Sequence, residues 1–162
     1  MKEIELYPDI INWIENYLKG RHPRSEIKAY DTHNKKLSNF IFELNLQNFF
    51  PEFNAFDIKI DITTIVKSKN KVKLAFIECK IKPISLKDIG QILGYSRVAK
   101  PEYSFIISPN GVSTPLESLL ITFGRYDILE YDDGKKIKIA KWNLIRKEID
   151  SPSLLPPGEY II

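Results

Sequence analysis

Apolar residues along the chain recur with two different periods, and the switches between those periods mark the elements. Over residues 8–20, Ile10, Ile11, Ile14, Tyr17 and Leu18 fall at i, i+3/4 and i+7 spacing, the stripe of an amphipathic helix, with Gly20 as its stop. Residues 25–30 form a short segment that reads as a first strand. Leu37, Phe40, Ile41 and Leu44 share one side of a second helix over residues 37–46, and Pro51 breaks the pattern beyond it. From Phe56 the period becomes two. Ile58, Ile60, Ile62, Thr64 and Val66 face one way, and Asp57, Lys59, Asp61, Thr63 and Ile65 face the other. A polar run over residues 67–71 separates this strand from another over residues 72–81, which predicts a hairpin.

Ser85 can cap a helix over residues 86–98, with Asp88 in the capping-box position and Pro101 closing it. Residues 103–108 read as a compact buried strand, and residues 115–123 as a helix. Strands over residues 126–131 and 136–142 flank Asp132-Asp133-Gly134, a strong turn signal, and predict a C-terminal β-hairpin. The tail, with Pro152, Pro156, Pro157 and Gly158, reads as extended. Without an internal repeat or a linker, this order predicts one α/β domain over residues 1–162, a central mixed sheet flanked by helices.

Composition narrows the function classes. The formal charge of the 162 residues is only +3, which excludes a histone-like polycation or an acidic disordered chain. No apolar run reaches the roughly 18–20 residues of a membrane span, and the opening Met1-Lys2-Glu3-Ile4-Glu5 lacks a signal peptide's regions, so a cytoplasmic protein is expected. One cysteine, Cys79, excludes a disulfide framework and a Cys-based zinc site. With only His22 and His33 besides, any metal is expected to be held by oxygen.

The chemistry concentrates in residues 72–81. The centre of this segment is apolar on both faces, as in a strand covered on both sides, yet Glu78 and Lys80 share the face of Val72, Leu74 and Phe76. Burying an acid and a base there is costly unless they pair or bind an ion. A turn at Lys69-Asn70 sets Asp61 directly opposite Glu78 on the same face, whereas a one-residue shift turns Asp61 away. Two opposed carboxylates repel unless one keeps its proton or a cation sits between them. Mg²⁺ suits such a pair, with Mn²⁺ as a substitute. In the plainer alternative Glu78 and Lys80 form an ion pair at a strand end and Asp61 is solvated. Cys79 points to the opposite face, into the core.

Asp61, then Glu78-Cys79-Lys80, then a helix carrying Gln91, resembles the PD-(D/E)XK nuclease superfamily, which includes restriction endonucleases and archaeal Holliday-junction resolvases. The resemblance covers about residues 56–108 and implies a restriction endonuclease-like core. It implies Mg²⁺ held by Asp61, Glu78 and the backbone carbonyl of Cys79, with Lys80 positioning the attacking water. Ile60 stands where the family's name has proline. The implied function is a metal-dependent endonuclease cutting DNA, duplex or branched. The alternative is a silent nuclease-like domain that binds nucleic acid or a protein. A third, Lys80 as an amine nucleophile toward a carbonyl, is disfavoured by the adjacent acids.

Two further readings stay open from the sequence. Gln91 shares a stripe with Asp88 and Tyr95 that either faces the cleft, contacting water or phosphate, or lies exposed. An acid from an early helix often joins the site in this family, and Glu15 and Glu43 are the two candidates. DNA contact is expected from clusters: Lys19, Arg21 and Arg24; Lys35 and Lys36; Arg97 and Lys100; and two lysine-lined hairpins, residues 67–73 and 135–141, that would bracket a duplex. No base-reading motif is present, and a symmetric homodimer would widen the footprint.

Overall fold

A computed structural model describes residues 1–158 of the chain. A 3-10 turn, Glu3–Leu6, leads into α1 (Tyr7–Arg21), which carries Pro8 in its first turn, where the missing N–H has no helical partner to lose. The helix buries Tyr7, Ile10, Ile14, Tyr17 and Leu18 along its predicted stripe. Strand β1 (Glu26–Asp31) follows, then α2 (Leu37–Glu43). This helix stops short of the predicted residue 46 because Asn45 takes φ 57°, a left-handed conformation that closes helices. Two 3-10 turns, Gln47–Phe49 and Phe53–Ala55, carry the chain onward.

The predicted hairpin is β2 (Ile62–Lys67) and β3 (Val72–Cys79), and its register is the one a turn at Lys69-Asn70 requires, with Ile62 opposite Ile77 and Lys67 opposite Val72. The alternation beginning at Phe56 runs into β2, but residues 56–61 lie outside the ladder. Their main chain is held by single bonds instead, Leu37 N–H to the Ile58 carbonyl and Thr32 N–H to the Asp61 carbonyl. Helix α3 (Leu86–Ala99) opens on the Ser85–Asp88 capping box and ends at Lys100 with φ 50°. Strand β4 (Tyr103–Ser108) returns parallel to β3. A short α4 (Thr114–Glu117), capped by Ser113, runs on into a π turn, Ser118–Thr122.

The C-terminal hairpin departs from expectation. Strands β5 (Glu130–Asp132) and β6 (Lys135–Lys136) do turn through Asp133 and Gly134, the glycine at φ 71°. The second arm then leaves, and β7 (Lys138–Asn143) joins the main sheet parallel to β4. The tail read as extended forms β8 (Glu148–Leu155), antiparallel to β7. Pro152 is tolerated there because β8 is an edge strand.

The result is a six-stranded mixed sheet, ordered β1-β2-β3-β4-β7-β8, with helices on both faces. One face packs Ile62, Val66, Ala75, Ile77, Cys79 and Phe105 under α1; the other packs Ile65, Leu74, Phe76 and Ile106 against α2 and α3. The centre of β3 is therefore buried from both sides, as its unbroken apolar run predicts. Among the described residues, no helix is long and apolar enough to cross a membrane.

Candidate active site

Asp61 is the residue just before β2, and Glu78 is the last but one of β3; extending the ladder past Ile62 and Ile77 sets them opposite one another. Each carboxylate takes a backbone N–H from the other strand. The N–H of Asp61 donates to Glu78 Oε1 at 3.2 Å, and the N–H of Cys79 donates to Asp61 Oδ2 at 2.8 Å. Asp61 is tied from the other side as well. Its carbonyl accepts the Thr32 N–H at 2.9 Å, and the buried Thr32 hydroxyl donates to the carbonyl of Ile60. These bonds fix a residue that has no ladder partner of its own.

The electrostatics follow from burial. Glu78 is only 6% exposed, and desolvation, reinforced by the Asp61 charge, pushes its carboxyl from the usual 4.5 up to about 8. The Tyr7 phenol, at the start of α1, is buried and interacts electrostatically with Asp61; burial and that carboxylate both push it up. Burial likewise raises the Cys79 thiol, which sits in the core below α1, as predicted for its side chain.

Lys80 follows β3 immediately, its N–H bonded to the Ile107 carbonyl at 2.9 Å and its Nζ 3.9 Å from Asp88 Oδ1. Asp88 Oδ2 accepts the Ser85 N–H at 2.9 Å, so the capping box also holds the acid that faces the lysine. A cleft of about 730 Å³ opens here, lined by Glu3, Lys80, Lys82, Ser85 and Asp88. Asp61 and Glu78 do not line it, but both Asp61 and Lys80 act electrostatically on Glu3. Burial raises the Glu3 carboxyl despite Lys80, and its Oε2 is buried with no hydrogen-bond partner.

The structure thus brings Asp61, Glu78, Cys79 and Lys80 together and adds Glu3, Tyr7 and Asp88. Tyr7 was within reach of the sequence, since it extends the α1 stripe one turn before Ile10. Glu3 was not, because a four-residue 3-10 turn has no periodicity to read. The two helix acids named as candidates lie elsewhere. The carboxylate of Glu15 accepts the Ala29 N–H at 3.0 Å and clips α1 to β1, while Glu43 pairs with Lys35 at 2.6 Å on the surface. Gln91 is exposed one turn along α3 from Asp88, and its amide donates to the Tyr95 hydroxyl at 3.0 Å. His33 pairs with Asp31 at 2.6 Å and rests edge-on against the Tyr7 ring.

The cationic clusters divide between the two ends of the sheet. The turn carrying Lys67, Lys69 and Lys71 lies at the end away from Asp61, about 17 Å along β2 at the usual rise per residue. Lys19, Arg21, Arg97 and Lys100 close their helices at that same far end, where Lys135 pairs with Glu102 at 3.1 Å, whereas Lys141, level with Ser108, lies towards the carboxylate end. Among the described residues, no three His, Cys, Asp or Glu side chains converge closely enough to hold a metal ion. No protein-family model, curated protein or solved structure matches the chain.

Proposed function

We propose that this chain is a Mg²⁺-dependent endonuclease of the PD-(D/E)XK type, hydrolysing phosphodiester bonds in DNA at Asp61, Glu78 and Lys80. The observation that carries the reading is the reciprocal clasp, in which each of two carboxylates accepts the backbone N–H of the opposing strand end. The hairpin β2–β3, the crossover α3 and the parallel β4, with α1 on the opposite face, follow the order expected of a restriction endonuclease-like core.

The donor set fits a hard cation. Asp61 and Glu78 would hold it, together with the Cys79 carbonyl: the N–H and C=O of a strand residue point the same way, and the Cys79 N–H points to Asp61. The unpartnered Glu3 Oε2 is a further oxygen in electrostatic contact with Asp61. All of these are oxygens, the ligands Mg²⁺ prefers, and few enough to leave room for water. A bound Mg²⁺ or Mn²⁺ would polarise a phosphoryl oxygen and lower the pKa of a water. The protein's own part is positional. Lys80, steadied by Asp88 and by the Ile107 carbonyl, presents a cation to the attacking water and to charge developing on the phosphate. Glu78 has to release its proton before it can serve as a ligand.

A second reading, a silent nuclease-like domain that binds nucleic acid or a protein, is favoured by one observation. Both carboxylates already accept hydrogen bonds, and no trio of side chains among the described residues is poised for a metal. Cleavage of supercoiled, branched and single-stranded DNA in Mg²⁺, Mn²⁺ or EDTA separates the two. The nuclease cuts with metal and not with EDTA, and Asp61→Asn, Glu78→Gln and Lys80→Ala each lose about 100-fold or more while staying folded. Wild-type protein that binds DNA without cutting it supports the silent domain. Should the three variants change neither binding nor cleavage, this is not the site.

A further inference from the structure

The turn joining β7 to β8 presents large apolar side chains to water. Ile145 is 92% exposed and Leu144 is 46% exposed, and the exposed Lys141, Arg146 and Lys147 lie within three residues of them along the chain. The turn is built rather than loose. Asn143 Oδ1 accepts the N–H groups of Ile145 at 3.0 Å and Arg146 at 2.8 Å, and the Lys147 N–H returns to the Asn143 carbonyl at 2.9 Å. Lys147 takes φ 57° to close the turn, and its Nζ, 3.7 Å from Asp9 Oδ1, ties the tip to α1 two residues beyond Tyr7.

Register places this tip relative to the site. Cys79 is level with Ile107, and Ile107 with Ala140, so parallel β7 leaves the sheet at the end where β3 delivers Glu78 and Lys80. Leu144 and Ile145 follow Ala140 by four and five residues, so at the usual strand rise per residue they stand up to roughly 13–17 Å beyond the level of Cys79. Two strand spacings put them about 10 Å to one side, which is about three base-pair rises.

An exposed isoleucine in a preorganised turn gains nothing from the fold. Flanked by cations, it has the make-up of the apolar wedges that enter base steps while basic neighbours hold the phosphates. We propose that Leu144 and Ile145 insert between stacked bases of duplex or branched DNA about three base pairs from the scissile phosphate. They open the duplex there, while Arg146 and Lys141 grip the backbone and Lys147 anchors the tip. This substrate class, DNA that must be unstacked to be cut, rests on the nuclease reading. An apolar tip among cations would also suit an anionic bilayer; its place at the carboxylate end of the sheet decides for DNA.

The test uses the variant Leu144→Ser/Ile145→Ser, which alters only exposed side chains. Two substrates are compared, a duplex and the same duplex with a three-base bubble beside the cut. The wedge predicts cleavage of the duplex reduced about 10-fold or more, and cleavage of the bubble restored to within about twofold of wild type. In the Glu78→Gln background, which holds DNA uncut, 2-aminopurine two to four nucleotides from the cut brightens several-fold with the intact tip and not with the serine tip. Equal duplex cleavage by both proteins overturns the wedge and leaves the nuclease standing. So does lower duplex cleavage with an unchanged base signal, which reduces the tip to a surface contact. Tip-dependent binding to phosphatidylserine–phosphatidylcholine vesicles, with the base signal flat, assigns the tip to a membrane instead. If wild-type protein cuts neither substrate, the nuclease reading itself fails and the wedge falls with it.

Discussion

The two ends of the central sheet handle charge in opposite ways. At one end Asp61 and Glu78 are drawn in against the core, clasped by backbone N–H groups, and Glu78 is nearly sealed from water. At the other, Lys67, Lys69 and Lys71 stand exposed on a turn. A solvated lysine asks little of the fold, whereas a buried carboxylate is held against its desolvation cost. Function is to be sought in the charges whose placement opposes stability, not where charges are most numerous. Like the active sites of many enzymes, the carboxylate end should be less stable than it could be.

The cost of burying charge is greatest at Glu78. Its folded-state carboxyl titrates near 8, against an ordinary value of 4.5. Between those values the folded protein holds a proton that the unfolded chain has released, so folding is favoured least where the proton is lost. The contribution is whole below pH 4.5, declines as pH rises through about 8, and is then gone. In EDTA the wild-type midpoint should therefore fall between pH 5 and pH 8.5 relative to Glu78→Gln, which carries a neutral isostere throughout. The expected gap at pH 8.5 is of the order of 2–4 kcal/mol in favour of Glu78→Gln, or about 5–10 °C. Mg²⁺ should narrow it by stabilising the wild-type protein alone. Parallel melting curves for the two proteins across pH would remove Glu78 as the strained group.

Much of this end was legible because hairpin register is arithmetic. Once Lys69-Asn70 is the turn, the alternation of β2 and the apolar run of β3 fix Asp61 opposite Glu78, and the structure has that register. Helix α3 announced itself through Ser85 and Asp88, whose capping chemistry depends only on residues three apart. What stayed hidden depends on contacts between distant segments. Glu3 reaches Lys80 and Asp61 only because α1 packs its N-terminus over the end of β2, and Thr32 pins Asp61 across 29 residues of sequence. The C-terminal arm was misjudged for the same reason: Asp133-Gly134 specifies a turn, but not how long the strands after it stay paired. Lysine clusters could not be placed from the sequence, because charge along a chain does not say at which end of a sheet it will emerge.

Tyr7 reports on the same carboxylate end, more weakly. Its buried hydroxyl interacts with the Asp61 carboxylate, so Tyr7→Phe removes that polar interaction without opening a cavity of more than one oxygen. Loss of about 1 kcal/mol is expected, a drop of about 2–4 °C in melting temperature. A double-mutant cycle with Asp61→Asn tests whether that loss belongs to the site. The two substitutions should be non-additive by at least about 0.5 kcal/mol, because both remove the same pairwise interaction. Simple additivity would mean that the phenol stabilises α1 by packing alone.

The far end of the sheet should matter least, both to stability and to DNA binding. Replacing Lys67, Lys69 and Lys71 together by alanine removes three exposed cations, and stability should change by no more than about 0.5 kcal/mol per site. If the duplex lies against the carboxylate end, none of the three meets a phosphate. The slope of log affinity against log salt should then shift by well under one unit. Each true phosphate contact carries about 0.9 of a unit, so Lys82→Ala, Lys141→Ala and Arg146→Ala, at the site's end of the sheet, should lower the slope by nearly one apiece. A drop of two or more units from the lysine-turn variant would place the duplex across the wrong end of the sheet. The buried carboxylates would then be too far from its backbone to cut it.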